Sequence, residues 1–357
     1  MGKIDTWTTE YLRNRDVFAD LVNIALYHGE RRICPDKLVE ADTVYKEMVY
    51  EIGKKEYKKR QLQEYRDLLK EFVGFIDGNQ VYVSIGVESQ AAIDYAMPIR
   101  VFIYNALQLL RQLKQAQCNY RVQERAKKGK RKAKQDTNAK SHRVRPLLST
   151  VPKGTLFNAI VTIVVYWGEK PWDGPTTLHE CLKPFDPALC ALIPDYPLVI
   201  IEPRRLASDL VAGMQSELKT VFECMQLAHD ARALDLFVHT DSRFKDIDSQ
   251  AAALINEVLD LKISVNTKKK RFNMCTAWKT LLENARNEGI ASITPELQKL
   301  RDENATLKTD YASMKTDYAS MKTDYASMKT ENEAVKRNLR AKGWSEEQIQ
   351  ALFVLAT

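Results

Sequence analysis

The chain's 357 residues, 45% hydrophobic and 28% charged with a net charge of +7, suit one large or two ordinary domains plus appendages, a size that permits an enzyme. No apolar run approaches the roughly 18 to 20 residues that a membrane span requires, and the polar start MGKIDTWTTEYLRNRD argues against a signal peptide, so a cytoplasmic protein is expected. Six scattered cysteines without a CxxC pair, and five histidines without HxH or HExxH spacing, argue against a zinc site or a disulfide framework.

Residues 5–28, DTWTTEYLRNRDVFADLVNIALYH, open with cap-type residues and then place Phe18, Leu21, Val22, Ile24 and Ala25 at helical spacing. One amphipathic helix is predicted. ICPDKLVEADT reads as a loop, and residues 43–63 are highly charged. In RDLLKEFVGFIDGNQVYVSIGVESQ, residues 66–90, two alternating strands flank Asp77-Gly78, a pair favoured in type I′ hairpin turns. Residues 97–117 predict a helix with Pro98 in its first turn and Ile99, Phe102, Ile103, Ala106, Leu107 and Leu110 as its buried stripe. The run 121–145 then carries eleven Lys/Arg against two acids and is expected to be disordered or only partly helical. LFNAIVTIVVYWG, residues 156–168, reads as a strand buried on both faces, and PLVIIEP, 197–203, as another short buried strand. From about 204 to 288 the pattern is helical.

TDYASMK occurs three times in tandem, at 309–315, 316–322 and 323–329. Seven residues is the heptad period, and the phase extends beyond the repeats. Leu297, Asn304, Tyr311, Tyr318, Tyr325, Asn332 and Leu339 fall at one position, with Leu300, Leu307, Met314, Met321, Met328 and Val335 three residues later. This is the a/d seam of a coiled coil, with Lys315 and Lys322 at e and Asp317 and Asp324 at g. Parallel self-association, as a homodimer or higher homo-oligomer through residues 295–340, is expected. Ser345 and Gln348 have capping-box spacing and predict a short helix in 341–357.

With a two-residue Asp77-Gly78 turn, paired residues sum to 155, so Asp67 faces Glu88 across the hairpin, and Gln90 shares their face. Leu68, Phe72, Ile76, Val81, Val83, Ile85 and Val87 form the other, core-facing side. Opposed carboxylates repel, and a divalent cation removes that conflict; oxygen ligands suit Mg²⁺, with Mn²⁺ as an alternative. A solvated face bearing two unrelated acids is the competing explanation.

The spacing D-x20-E-x-Q on a hairpin between two helices resembles the PD-(D/E)xK nuclease core. VYVSIGVESQAAIDYAMPIRVFIYNALQ, together with RDLLKEF, FADLVN, IVTIVVYWGEKPWDGPTTLHECL, IPDYPLVIIEP and NMCTAWKTLLENARNEG, more specifically resembles the recombination-promoting nuclease (Rpn) and transposase family, over roughly residues 6–290. The resemblance implies an α/β fold. It would comprise a PD-(D/E)xK restriction-endonuclease-like core over 1–203 with a basic insertion at about 119–150 and a helical region over 204–290, to which the heptads add a terminal coiled coil over 295–340. It also implies a Mg²⁺-dependent DNA endonuclease acting in the cytoplasm on double-stranded DNA, nucleoid-associated when acting. By matching position, Asp67 and Glu88 hold the metal and Gln90 stands where the motif lysine would, able to orient a water but not to act as a base. Asp20 is a candidate additional metal ligand, and Arg100 a candidate phosphate contact or structural support. Lys127, Lys128, Lys130, Arg131, Lys132 and Lys134 are candidate DNA contacts. The alternative is a catalytically inactive, DNA-binding, self-associating module on a nuclease fold.

Overall fold

The computed structural model describes residues 3–52, 57–65, 67–129 and 151–354. It divides into two units, Met1–Leu281 and Leu282–Thr357. The elements of the first unit begin with α1 (Lys3–Leu12) and α2 (Arg15–Tyr27), then β1 (Leu38–Glu40), β2 (Val44–Ile52), β3 (Tyr57–Tyr65), β4 (Leu68–Ile76) and β5 (Asn79–Gln90). They continue with α3 (Met97–Gly129), β6 (Ala159–Tyr166), β7 (Val199–Ile201), α4 (Ser208–Ala212), α5 (Leu218–Leu227) and α6 (Ala231–Thr240). A small pair of strands, β8 (Ile247–Asp248) and β9 (Arg271–Phe272), brackets α7 (Ser249–Val258). Then α8 (Met274–Ala341) runs on into the second unit, which ends with α9 (Glu346–Val354).

The main sheet is mixed, in the order β1-β4-β5-β6-β7. β4 pairs antiparallel with both β1 and β5, while β5, β6 and β7 are parallel to one another. One sheet face, with Leu68, Phe72, Ile85, Val87, Ile163 and Val165, joins α2, α5 and α7 in the principal core, where Trp167 packs edge-on against Phe222. Parallel strands covered on both faces read as unbroken apolar runs, which is why IVTIVVY became β6. On the other face Met97 and Val101 of α3 pack with Val164. Among the described residues no helix is long and apolar enough to cross a membrane.

Several expected elements are redrawn. The helix expected over 5–28 is two, because Asn14 stops the first and caps α2 by accepting the Asp16 N–H. The loop ICPDKLVEADT contains β1, an edge strand held on β4. The charged residues from 44 to 65 supply β2 and β3, which pair with each other as a separate two-stranded ribbon. β7 lies at the sheet's edge and is only partly buried, unlike the strand expected there.

The largest difference lies in α3. Its inward residues are Met97, Val101, Asn105 and Gln108, whereas Ile99, Phe102 and Ile103 are exposed. An amide accounts for the rotation: Asn105 accepts from the Thr162 hydroxyl at 2.7 Å and donates to the Tyr196 hydroxyl at 2.8 Å. A buried polar contact that is satisfied on both sides can occupy a position that apolarity alone would not select. α3 also extends beyond residue 117 into the basic run, to Gly129.

Lys70 is a second polar residue inside. It lies on the core face of β4 and is fully buried; its ammonium donates to the Arg13 carbonyl at 2.7 Å, pairs with Glu40 and stands 5.2 Å from the Phe18 ring centroid. Its hydrogen-bond donors are thus engaged, which is what allows a charge there.

Candidate functional site

Asp77 and Gly78 have φ of 49° and 79°, the two positive values a type I′ turn demands. The turn sets the register from Ile76↔Asn79 through Leu68↔Val87, and each pair sums to 155. Asp67, one residue before β4, therefore lies beside Glu88. Its Oδ2 accepts the Ser89 backbone N–H at 2.9 Å. A one-residue slip would send Glu88 to the opposite face.

Glu88 is fully buried, and its Oε2 accepts from Arg100 Nη2 at 3.1 Å. Arg100 lies in the first turn of α3, directly above the end of β5. It also faces Asp94 at 3.5 Å and donates from Nε to the Tyr104 hydroxyl at 3.1 Å. Burial raises the Asp67 carboxyl above its ordinary value of 3.8. The Ser89 N–H and the Arg100 charge oppose that rise, and the charge of Asp5 adds to it.

Asp5 is the acid that sequence reasoning missed. It sits on α1, and its Oδ1 accepts the Ala91 N–H at 3.1 Å, just past the end of β5. The stretch DTWTTEY was read only for capping, and no spacing rule relates residue 5 to residue 67. Asp20, the acid expected here, turns elsewhere: its Oδ2 accepts the backbone N–H groups of Gln215 at 2.8 Å and Ser216 at 2.5 Å, tying α2 to the α4–α5 loop. Asp20 thus has backbone partners on that loop.

Gln90 is half-buried at the end of β5, paired in parallel register with Tyr166 of β6. The Tyr166 ring packs edge-on to Trp172 at 5.3 Å. A Cβ at Gly168 would come within 2.1 Å of the Tyr166 hydroxyl, so the ring lies directly over that glycine. Ser89 points to the opposite face, where its hydroxyl contacts Thr8 and accepts the Trp167 Nε1–H at 2.8 Å. This buried knot fastens α1, and with it Asp5, to the strand ends. Of the basic candidates, Lys127 and Lys128 fall on the last turn of α3, while Lys130, Arg131, Lys132 and Lys134 lie outside the described residues.

Among the described residues no group of three or more His, Cys, Asp or Glu side chains is placed to hold a metal ion. The donor set is therefore two carboxylates and a nearby amide. Mg²⁺ is commonly held by one or two carboxylates, with water and substrate phosphate completing its shell. Asp67 and Glu88 would supply only part of such a shell and do not form a complete protein cage.

No family model, curated protein or solved structure matches the chain.

Proposed function

We propose that the protein is a metal-dependent DNA endonuclease of the kind the recombination-promoting nuclease family represents. The observation that carries this reading is the pairing of Asp67 with Glu88 across the hairpin, beside Arg100 and at the carboxyl end of the parallel strands. The order helix, hairpin, helix, parallel strand agrees with the nuclease core that the sequence resembles.

When bound by Asp67 and Glu88, Mg²⁺ supplies a water made nucleophilic near neutral pH and offsets charge on the phosphate. The chain's own groups do the rest. Arg100 neutralises Glu88 in the resting site, and its planar guanidinium matches a phosphate's paired oxygens once DNA arrives. Gln90 accepts a hydrogen bond from the attacking water through its amide oxygen and orients it. The basic run 121–145 attracts the DNA backbone without reading sequence.

The test is incubation of full-length protein with supercoiled plasmid and Mg²⁺. Cleavage by the wild type, abolished in Asp67→Asn and in Glu88→Gln while duplex binding persists, is the expected result. Cleavage that both variants retain contradicts the site. One observation favours a second reading, an inactive DNA-binding module: Arg100 already pairs with Glu88 Oε2, and two acids alone make a sparse metal site. That reading predicts duplex binding and no Mg²⁺-dependent cleavage by any variant.

A further inference from the structure

α8 is one continuous helix from Met274 to Ala341, and from residue 296 onward it carries an apolar seam that faces solvent. The ten apolar seam residues from Leu297 to Val335 are 45% to 67% exposed. A stripe of Leu, Tyr and Met at a and d positions is the surface a facing helix covers. We propose that the occupant is a second copy of this chain, aligned parallel and in register over residues 296–336. This inference is independent of the nuclease reading.

The flanking charges identify both the partner and its direction. Every e position from 301 to 336 is basic: Arg301, Lys308, Lys315, Lys322, Lys329 and Lys336. Every g position from 296 to 331 is acidic: Glu296, Glu303, Asp310, Asp317, Asp324 and Glu331. In a parallel pair each g faces the e of the next heptad on the partner, so all of these contacts are between unlike charges. In an antiparallel pair e faces e and g faces g, and all of them become like-charged. Parallel alignment also stacks a on a, setting Asn304 and Asn332 each against its own copy, where amides pair; antiparallel alignment sets them against Met and Leu at d.

The rest of the helix is built to stay outside the interface. Thr309, Thr316, Thr323 and Thr330, at the outermost position, return their hydroxyls to the carbonyls four residues back at 2.9 to 3.0 Å. At the far end α9 folds back. Its capping box closes with Ser345 N–H to Gln348 at 3.0 Å and Gln348 N–H to the Ser345 hydroxyl at 3.3 Å. Lys336 stands 5.2 Å from the Phe353 ring centroid, and Ile349 is buried. Leu339, the last a position, is half-covered there, so the free seam ends at Val335.

Sedimentation equilibrium of the full chain measures the stoichiometry: a mass twice that of the 41.0 kDa chain is expected. Tyr318→Asp with Met321→Asp should return it to a single chain. Glu at Lys308, Lys315, Lys322 and Lys329 together should do the same without touching the apolar seam. Deleting residues 316–322, one whole heptad, should leave the doubled mass intact. For direction, oxidised Met321→Cys should link to itself, above any background of the wild type. A mixture of Leu300→Cys with a size-tagged Val335→Cys should give only products of like with like. A single-chain or threefold mass for the wild type, or a mixed Leu300→Cys/Val335→Cys product, overturns the proposal.

Discussion

Arg100 and Glu88 make a pair whose members depend on each other unequally. The Glu88 side chain has no exposed surface, while that of Arg100 is about a third exposed at 32%. Removing the arginine leaves a buried carboxylate without its cation, which costs about 3 kcal/mol, the lower end of the range for such pairs because Arg100 is partly in water. Arg100→Ala should therefore destabilise the protein by about that amount in denaturant unfolding. Adding Glu88→Gln, which removes the charge, should restore most of it. Losses that simply add in the double variant would show that the two side chains are not coupled. Asp67 follows different arithmetic. Because burial raises its folded-state pKa, its contribution to stability is full below the ordinary value of 3.8 and lost as pH rises through the raised value. Above that raised value its ionised form is held at a cost to the fold, which Asp67→Asn should relieve.

The hairpin was legible in the sequence because its two signals agree. Period-two alternation fixes which side chains share a face, and Asp77-Gly78 fixes how the strands are counted. Gly78 has φ of +79° and open space where a Cβ would project, so any penalty for a side chain there is backbone strain alone. Gly78→Ala should cost about 1 to 2 kcal/mol by thermal unfolding. No loss of stability would mean that the turn is not type I′ and that the register is set elsewhere. The inner side of α3 was not legible, because the helix has apolar residues on two sides and the inward one is chosen by a partner on β6. Asn105 finds Thr162 across 57 positions of sequence, a relation that no local periodicity encodes. Asp5 escaped notice for the same reason. Asp20's backbone partners were not legible either, because an acid on an amphipathic helix looks the same from sequence whether it faces a metal or two backbone N–H groups.

At the scale of the whole molecule, the two units divide the work. Met1–Leu281 contains the sheet and the opposed acids, and Leu282–Thr357 contains the whole seam. The seam was legible because heptads are a local period, readable without knowing the fold. Asp67 and Glu88 carry the proposed cleavage. A cleavage assay reads their product, which a trace of contaminating nuclease also makes. A cation that binds the folded state alone stabilises it by mass action and reads the carboxylates themselves. The measurement is the thermal midpoint of the full chain titrated with Mg²⁺ at neutral pH, for the wild type, Asp67→Asn and Glu88→Gln. The account predicts a midpoint that climbs with Mg²⁺ in the wild type, less steeply as pH falls and Asp67 takes up its proton, and stays flat in both variants. An equal climb in all three proteins, or none in the wild type, would contradict it.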